Sequence, residues 1–303
     1  MRRKHAVAGG LLAVAAIVAG CGSGAAATST VPRQSGTVAI TTITAAASSG
    51  SGAASSEPTL AISAAPISTA PVPSGALTVT TLGDSLTEGQ GDDGGPGYPG
   101  RLQTLIAPLR PGSKVVNFGH SGWSSTDLIN GQDGLPSELT QSIDAKANVA
   151  LVWIGSNDLW NLYEYGPEPM TADAEAADLQ AYETNMDKIL RDLAAHGATI
   201  FVALLDDQSK RPVVADPPNQ VEPAFPNTTK ADLALMSAHV KAYNQIITQM
   251  AARYGATTVS FYGSPIFTNP ATLYDDGNHP NSAGYDAVAQ VWFAAVAPRL
   301  RLG

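Results

Sequence analysis

From Ala76 onward, short apolar runs alternate with longer segments in which apolar residues recur every three or four positions. The runs Leu77 to Leu82, Lys114 to Phe118, Val149 to Ile154, Thr199 to Leu205 and Thr257 to Phe261 are brief and rich in β-branched residues, which predicts buried strands. Between the third and fourth runs, Leu179, Tyr182, Met186, Ile189 and Leu193 share one helical face, and Gly197 is placed to end that helix in a left-handed cap. Leu233, Met236, Val240, Tyr243, Ile247, Met250 and Tyr254 repeat the pattern ahead of Gly255, and a third helix is expected from about Ser282 to Ala297. Five strands with intervening helices predict an α/β fold, a three-layer α/β/α sandwich around a mainly parallel five-stranded sheet. Open sheets of this kind bind ligands beyond the carboxyl ends of their strands, so polar residues at those ends are the candidates for chemistry.

The first fifth of the 303-residue chain breaks this pattern. Arg2-Arg3-Lys4 precede an apolar segment, Ala6 to Gly20, too short to span a bilayer, which predicts an export signal over residues 1–20. From Gly22 to Gly75 the composition is dominated by Ala, Ser, Thr, Gly and Pro, with only Arg33 and Glu57 charged and no aromatic residue. Such a segment has too few large apolar groups to offset the entropy of ordering, so residues 21–75 are expected to be a flexible tether and residues 76–303 the folded domain.

Cys21 is the one cysteine, so no disulfide can form within a single copy. Val18-Ala19-Gly20-Cys21 resembles the lipobox of bacterial lipoproteins. The resemblance implies cleavage before Cys21 and its acylation, giving an exported protein lipid-anchored to a membrane at the cell envelope. The alternative is cleavage near Ala25-Ala26-Ala27 and free secretion. More than one acyl chain makes such an anchor durable, each buried CH₂ contributing about 0.8 kcal/mol. Without Arg2, Arg3 and Lys4 the chain has 14 basic and 26 acidic residues, a net charge of −12. That charge opposes binding to nucleic acid and to anionic lipid surfaces, which leaves membrane attachment to Cys21.

Three polar blocks stand where predicted strands end, and a fourth lies near the C-terminus. Ser85 follows the first strand in Gly83-Asp84-Ser85, a turn from which a helix can start with its N–H groups facing developing negative charge. The second strand runs into Gly119, whose backbone N–H is unobstructed by a side chain, and the third into Asn157, either an amide donor or a helix cap. Near the C-terminus Asp276 precedes His279 by three residues, so a turn centred on Gly277 can fold carboxylate onto imidazole, while Asn281 can cap the last helix. This block lacks the ligand series of a calcium loop.

In this order and with these surroundings, GDSLTEG, NFGHSG, GSND and DGNHPN resemble the four blocks of the SGNH (GDSL) hydrolase family, over the whole stretch from Leu77 to the C-terminal helix. The resemblance implies a flavodoxin-like sandwich and a serine esterase without metal or cofactor. Ser85 would be the nucleophile, His279 the general base and acid, and Asp276 the residue that orients the imidazole. The Ser85 N–H, the Gly119 N–H and the Asn157 amide would form the oxyanion hole. Asp275 is the alternative orienting carboxylate.

Gly119-His120-Ser121-Gly122-Trp123 offers a rival nucleophile in Ser121, but Trp123 is too bulky for the position where the elbow of α/β-hydrolases needs a small residue. His120 adjoins the proposed oxyanion donor, His196 sits where it favours a helix C-terminus, and His239 reads as a helix-face residue. Trp123 and Trp160, each shortly after a block, are candidate substrate-binding walls or core residues, and the Pro-rich stretch from Asp206 to Thr229 is a candidate rim, with Phe225 as a contact. The expected partner of a monomeric catalytic domain is a small-molecule or polysaccharide ester. An envelope-tethered acyltransferase and a non-catalytic carbohydrate-binding or envelope-binding module are the competing readings.

Overall fold

The computed structural model of the protein describes residues 72, 74–215 and 225–302; the expected signal segment, Cys21 and the tether up to residue 71 lie outside them. The five β-branched runs become β1 (Thr78–Gly83), β2 (Lys114–Asn117), β3 (Val149–Trp153), β4 (Thr199–Leu204) and β5 (Thr257–Ser260). They form one sheet in the order β2-β1-β3-β4-β5, with every neighbouring pair parallel. Thr80 is the register mark, opposite Val116 on one side and Ala150 on the other. Burial on both faces holds for β1, β3 and β4 but not for β2 and β5, because the latter two are the sheet edges.

The helices are α1 (Ser85–Glu88), α2 (Gly97–Ile106), α3 (Ser125–Asn130), α4 (Glu138–Asp144), α5 (Ser156–Tyr165), α6 (Ala172–Ala195), α7 (Pro212–Ala215), α8 (Lys230–Tyr254) and α9 (Ser282–Leu300). The chain steps from β1 to β2 in one direction and from β3 through β5 in the other, so right-handed crossovers put the connecting helices on opposite faces. Accordingly α2 packs beside α9, and α6 beside α8. A capping box of Thr229 and Asp232 starts α8, and Gly255 ends it with φ +67°. Helix α6 ends at Ala195, just before Gly197 with φ +83°. The last helix runs three residues past its expected end because Trp292, Val296 and Leu300 continue one buried stripe at four-residue spacing.

Aromatic side chains fill both layers. Trp153 of β3 stacks on Phe261 at 4.1 Å and meets Trp292 of α9 edge-on, while Tyr182 of α6 and Tyr243 of α8 stack at 3.7 Å. This core fixes the carboxyl ends of β1 and β3 side by side at the point where the strand order reverses, which is where an open α/β sheet presents a binding crevice.

Candidate active site

Ser85 is the first residue of α1, immediately beyond β1. Its helix is capped from below by Asp84, whose Oδ1 accepts the Leu86 N–H at 3.0 Å. The Ser85 N–H lies in the first helical turn, where N–H groups have no intrahelical acceptor. Asp84 is fully buried, and burial pushes its carboxyl up to about 6 against the opposing pull of the Leu86 N–H and of Arg211.

His279 reaches Ser85 from the far end of the chain, its Nε2 lying 2.9 Å from the Ser85 Oγ across 194 sequence positions. Its Nδ1 lies 2.6 Å from Asp276 Oδ2. The second oxygen of Asp276 accepts the backbone N–H groups of Asn278 at 2.8 Å and His279 at 2.9 Å, so the carboxylate ties the turn together while it orients the ring. Burial works against the charge on Asp276, but the bonds from His279 and Asn278 hold its carboxyl below the usual range. At the neck of the turn Tyr274 donates its N–H to the His279 carbonyl at 2.8 Å, and Asn281 caps α9 by accepting from Gly284. Asp275 is exposed and lies outside this network.

Gly119 passes α1 so closely that a Cβ there would sit 2.7 Å from the Glu88 backbone nitrogen and from the Thr87 side chain. Its N–H donates to Asn117 Oδ1 at 3.0 Å, so any second acceptor must share that proton with Asn117. Asn117 in turn donates to the carbonyls of Thr87 and Glu88, which locks the end of β2 to α1. Asn157 lies in the first turn of α5, and its Nδ2 donates one proton to the Trp123 carbonyl at 2.8 Å, which orients the amide and leaves its second proton.

Ser121 is separated from this chemistry. Its hydroxyl and its N–H both donate to the Glu88 carboxylate, and the hydroxyl also contacts Gln90. The two tryptophans are buried: Trp123 stacks on His120 at 4.2 Å, and Trp160 stacks on Phe225 at 4.1 Å. The Pro-rich stretch begins with a 3₁₀ turn at Gln208–Lys210 and α7, and residues 216–224 lie outside the described residues. His196 caps α6, its Nδ1 against the Asp192 carbonyl at 2.7 Å. His239 is buried, its Nε2 2.8 Å from Asp178 Oδ2.

Two buried groups beneath the site were not singled out by sequence. Glu138, at the start of α4, has no exposed surface; its Oε2 accepts the Gly83 N–H at 2.7 Å and its Oε1 lies 3.3 Å from His120 Nδ1. Burial pushes its carboxyl up to about 9, with nearby Asp84 adding to the shift and the Gly83 N–H opposing it. Arg211, only 1% exposed, pairs with Asp206 through two nitrogens. A glutamate and an arginine at these depths carry no mark in the local sequence, since both are ordinarily surface residues.

Among the described residues no group of three His, Cys, Asp or Glu is arranged to hold a metal ion, and no helix is long and apolar enough to cross a membrane. What the arrangement can do is move one proton: from a serine hydroxyl to an imidazole whose other nitrogen is held by a carboxylate.

Known proteins are similar to this chain in sequence and in fold. The uncharacterized protein YpmR of Bacillus subtilis is 29% identical over 126 residues, covering 40% of this chain and 48% of that protein, so the chain matches about half the length of this relative. An α/β hydrolase from the metagenome of Lake Arreo, Spain, has a similar fold, with a TM-score of 0.52 at 23% identity over 75% of this chain and 97% of that one. An acetylxylan esterase from Geobacillus stearothermophilus does too, with a TM-score of 0.51 at 20% identity over 73% of this chain and 95% of that one. The model of the GDSL-like lipase/acylhydrolase family matches residues 81–287, from the strand that delivers Ser85 to the helix that follows His279, and this chain belongs to that family.

Proposed function

We propose that the protein hydrolyses carboxylic esters through an acyl-enzyme on Ser85. The observation that carries this reading is the unbroken relay from Ser85 Oγ to His279 Nε2 at 2.9 Å and from His279 Nδ1 to Asp276 at 2.6 Å. As the serine oxygen attacks the ester carbonyl, its proton passes to Nε2, and Asp276 stabilises the imidazolium that results. The carbonyl oxygen becomes an oxyanion and is met by the Ser85 N–H, the Asn157 amide proton turned away from Trp123, and the Gly119 N–H shared with Asn117. Collapse breaks the bond to the alcohol, which leaves with the proton from Nε2. Water then attacks the acyl-serine, delivering its proton to His279, and as the bond to Ser85 Oγ breaks and the acid leaves, Nε2 returns that proton to the serine oxygen.

Esters with small acyl groups, including acetylated polysaccharide, are the substrates to test first, because one protein of similar fold is an acetylxylan esterase. The export signal and the acylated Cys21 complete the proposal, placing the domain at the cell envelope on a tether of some fifty residues. A fluorophosphonate probe followed by peptide mapping tests the nucleophile: the adduct is expected on Ser85, and its absence from Ser85 in folded protein sinks the reading. A panel of p-nitrophenyl esters of increasing chain length, run beside acetylated polysaccharide, then ranks the acyl groups. Product analysis with added sugars separates hydrolysis from transfer. Labelled palmitate that is incorporated by the intact chain and lost in Cys21→Ala tests the anchor.

A further inference from the structure

We infer that the buried Arg211–Asp206 ion pair is the positioning device of the acid–base turn: Arg211 holds Asn278, and through it Asp276 and His279, at the distance from Ser85 that proton transfer requires. The inference rests on the hydrolase reading above and adds two residues, Asp206 and Arg211, that no block of the sequence contains.

The contacts converge on one guanidinium. Asp206 lies just past β4, and its two oxygens accept from Arg211 Nε at 2.9 Å and Nη2 at 2.7 Å, a bidentate pairing that fixes the plane of the guanidinium. The remaining nitrogen, Nη1, donates to Asn278 Oδ1 at 2.8 Å. Phe267 covers the guanidinium, its ring centroid 4.9 Å from Arg211 Cζ. Two residues on, the Val213 N–H donates to the Gly277 carbonyl at 3.0 Å. The segment after β4 therefore grips two successive residues, Gly277 and Asn278, between the catalytic pair Asp276 and His279.

This grip has a purpose that the relay alone does not serve. Asp276 orients the imidazole within its own turn, but both partners of that bond travel together if the turn moves. Nothing in the Asp276–His279 contact fixes their distance from Ser85, which stands at the head of α1 beyond β1. Arg211 supplies a reference outside the turn, anchored to the sheet through Asp206. A lysine could not do the same, since a point charge cannot hold a carboxylate by two parallel bonds and an amide oxygen by a third. Burial makes the arrangement all-or-none: a guanidinium with so little exposed surface must keep its partners, so the turn is held in one position.

The decisive variants are at Asn278, because deleting one surface-side amide leaves the buried ion pair intact. In the full chain, Asn278→Ala is expected to lower kcat about tenfold to a hundredfold, the loss typical of a displacement near 1 Å at reacting atoms, with KM changed by less than about twofold. The far-downfield proton resonance of His279 Nδ1, which reports the bond to Asp276, should broaden or disappear. Asn278→Asp keeps an oxygen for Arg211 and should recover most of the lost kcat together with the resonance. Arg211→Lys should follow Asn278→Ala in both readouts. The resonance reports geometry whether or not the chain turns over esters, so it separates failure of the positioning from failure of the hydrolase reading. An Asn278→Ala protein whose Nδ1 resonance and kcat both match the unaltered chain overturns the inference, and so does an Asn278→Asp protein as impaired as Asn278→Ala.

Discussion

Glu138 Oε2 accepts the backbone N–H of Gly83 at 2.7 Å, two positions ahead of Ser85, in a place without exposed surface. The bond ties α4 to the end of β1 while Oε1 faces His120, which itself stacks on Trp123. One carboxyl thus sits under β1, under the loop after β2 and, through His120, beside Trp123, whose carbonyl orients Asn157. Asp84, Glu88 and Tyr98 are the other titratable groups that act on it or feel it. Held near 9, the carboxyl is neutral at pH 7 and can donate from Oε1 to the imidazole.

That protonation state has a consequence for stability. The folded carboxyl titrates near 9 and the unfolded one near 4.5, so between these values folding takes up a proton and stability falls as pH rises. By pH 7 the loss attributable to this one group is on the order of 3 kcal/mol relative to acid. Glu138→Gln reproduces the neutral acid and is spared the loss. It should therefore be more stable than the unaltered chain at pH 8, with the gap closing toward pH 4.5; urea midpoints at both pH values measure it. A gap that does not change with pH would show that the carboxyl is not the group responsible.

The serine choice is the sharpest kinetic test. Ser85→Ala removes the hydroxyl that faces His279, and a loss of about 10⁴-fold or more in kcat is expected, with only residual binding and oxyanion catalysis left. Ser121→Ala removes a hydroxyl held by Glu88 and Gln90 and should keep kcat within about threefold. Initial rates on p-nitrophenyl acetate compare the two, and the reverse order would transfer the nucleophile to Ser121.

Much of this architecture is visible in the chain before folding. Val149 to Ile154 declares a buried strand by its unbroken apolar run, and Gly197 and Gly255 mark helix ends because each must adopt positive φ. The site is visible for a related reason: Ser85, Gly119 and Asn157 sit at strand ends, where polar residues break apolar runs, and Asp276 and His279 are close enough in sequence for one turn to join them. What stays hidden is whatever the sheet brings together from a distance. Glu138 lies 55 positions from Gly83, and Arg211 lies 67 from Asn278, and neither carries a local signal of burial. His239 misleads for the same reason, since its helix-face position turns inward onto Asp178, 61 positions away.

Asp276 and Asp275 can be told apart by rate, and Asp276 can be tested by pH as well. Asp276→Asn should lower kcat by about 10⁴-fold, because the amide stabilises the wrong imidazole tautomer, whereas exposed Asp275→Asn should stay within about threefold. The folded carboxyl of Asp276 lies below its ordinary 3.8, so its contribution to stability is present above that value and is lost as pH falls through the folded pKa. Acid unfolding below about pH 4 should therefore weaken in Asp276→Asn relative to the unaltered chain. An acid transition identical to that of the unaltered chain would contradict the assignment.

The proposed oxyanion donors are not equivalent, and the difference is measurable. Asn157 spends one amide proton on the Trp123 carbonyl at 2.8 Å and keeps the other, whereas the Gly119 N–H is already engaged by Asn117 at 3.0 Å. A donor with no prior acceptor gives up nothing when the oxyanion forms; a donor that must be shared gives up part of an existing bond. Asn157 should then supply the larger stabilisation of the transition state. Asn157→Ala is expected to raise the barrier by about 3 kcal/mol, a fall of at least a hundredfold in kcat with little change in KM. Trp123→Phe keeps both the main-chain carbonyl and a flat ring over His120, so it should cost less than about fivefold. If Trp123→Phe proves as damaging as Asn157→Ala, the indole itself touches substrate, and the carbonyl is not its main contribution to the site.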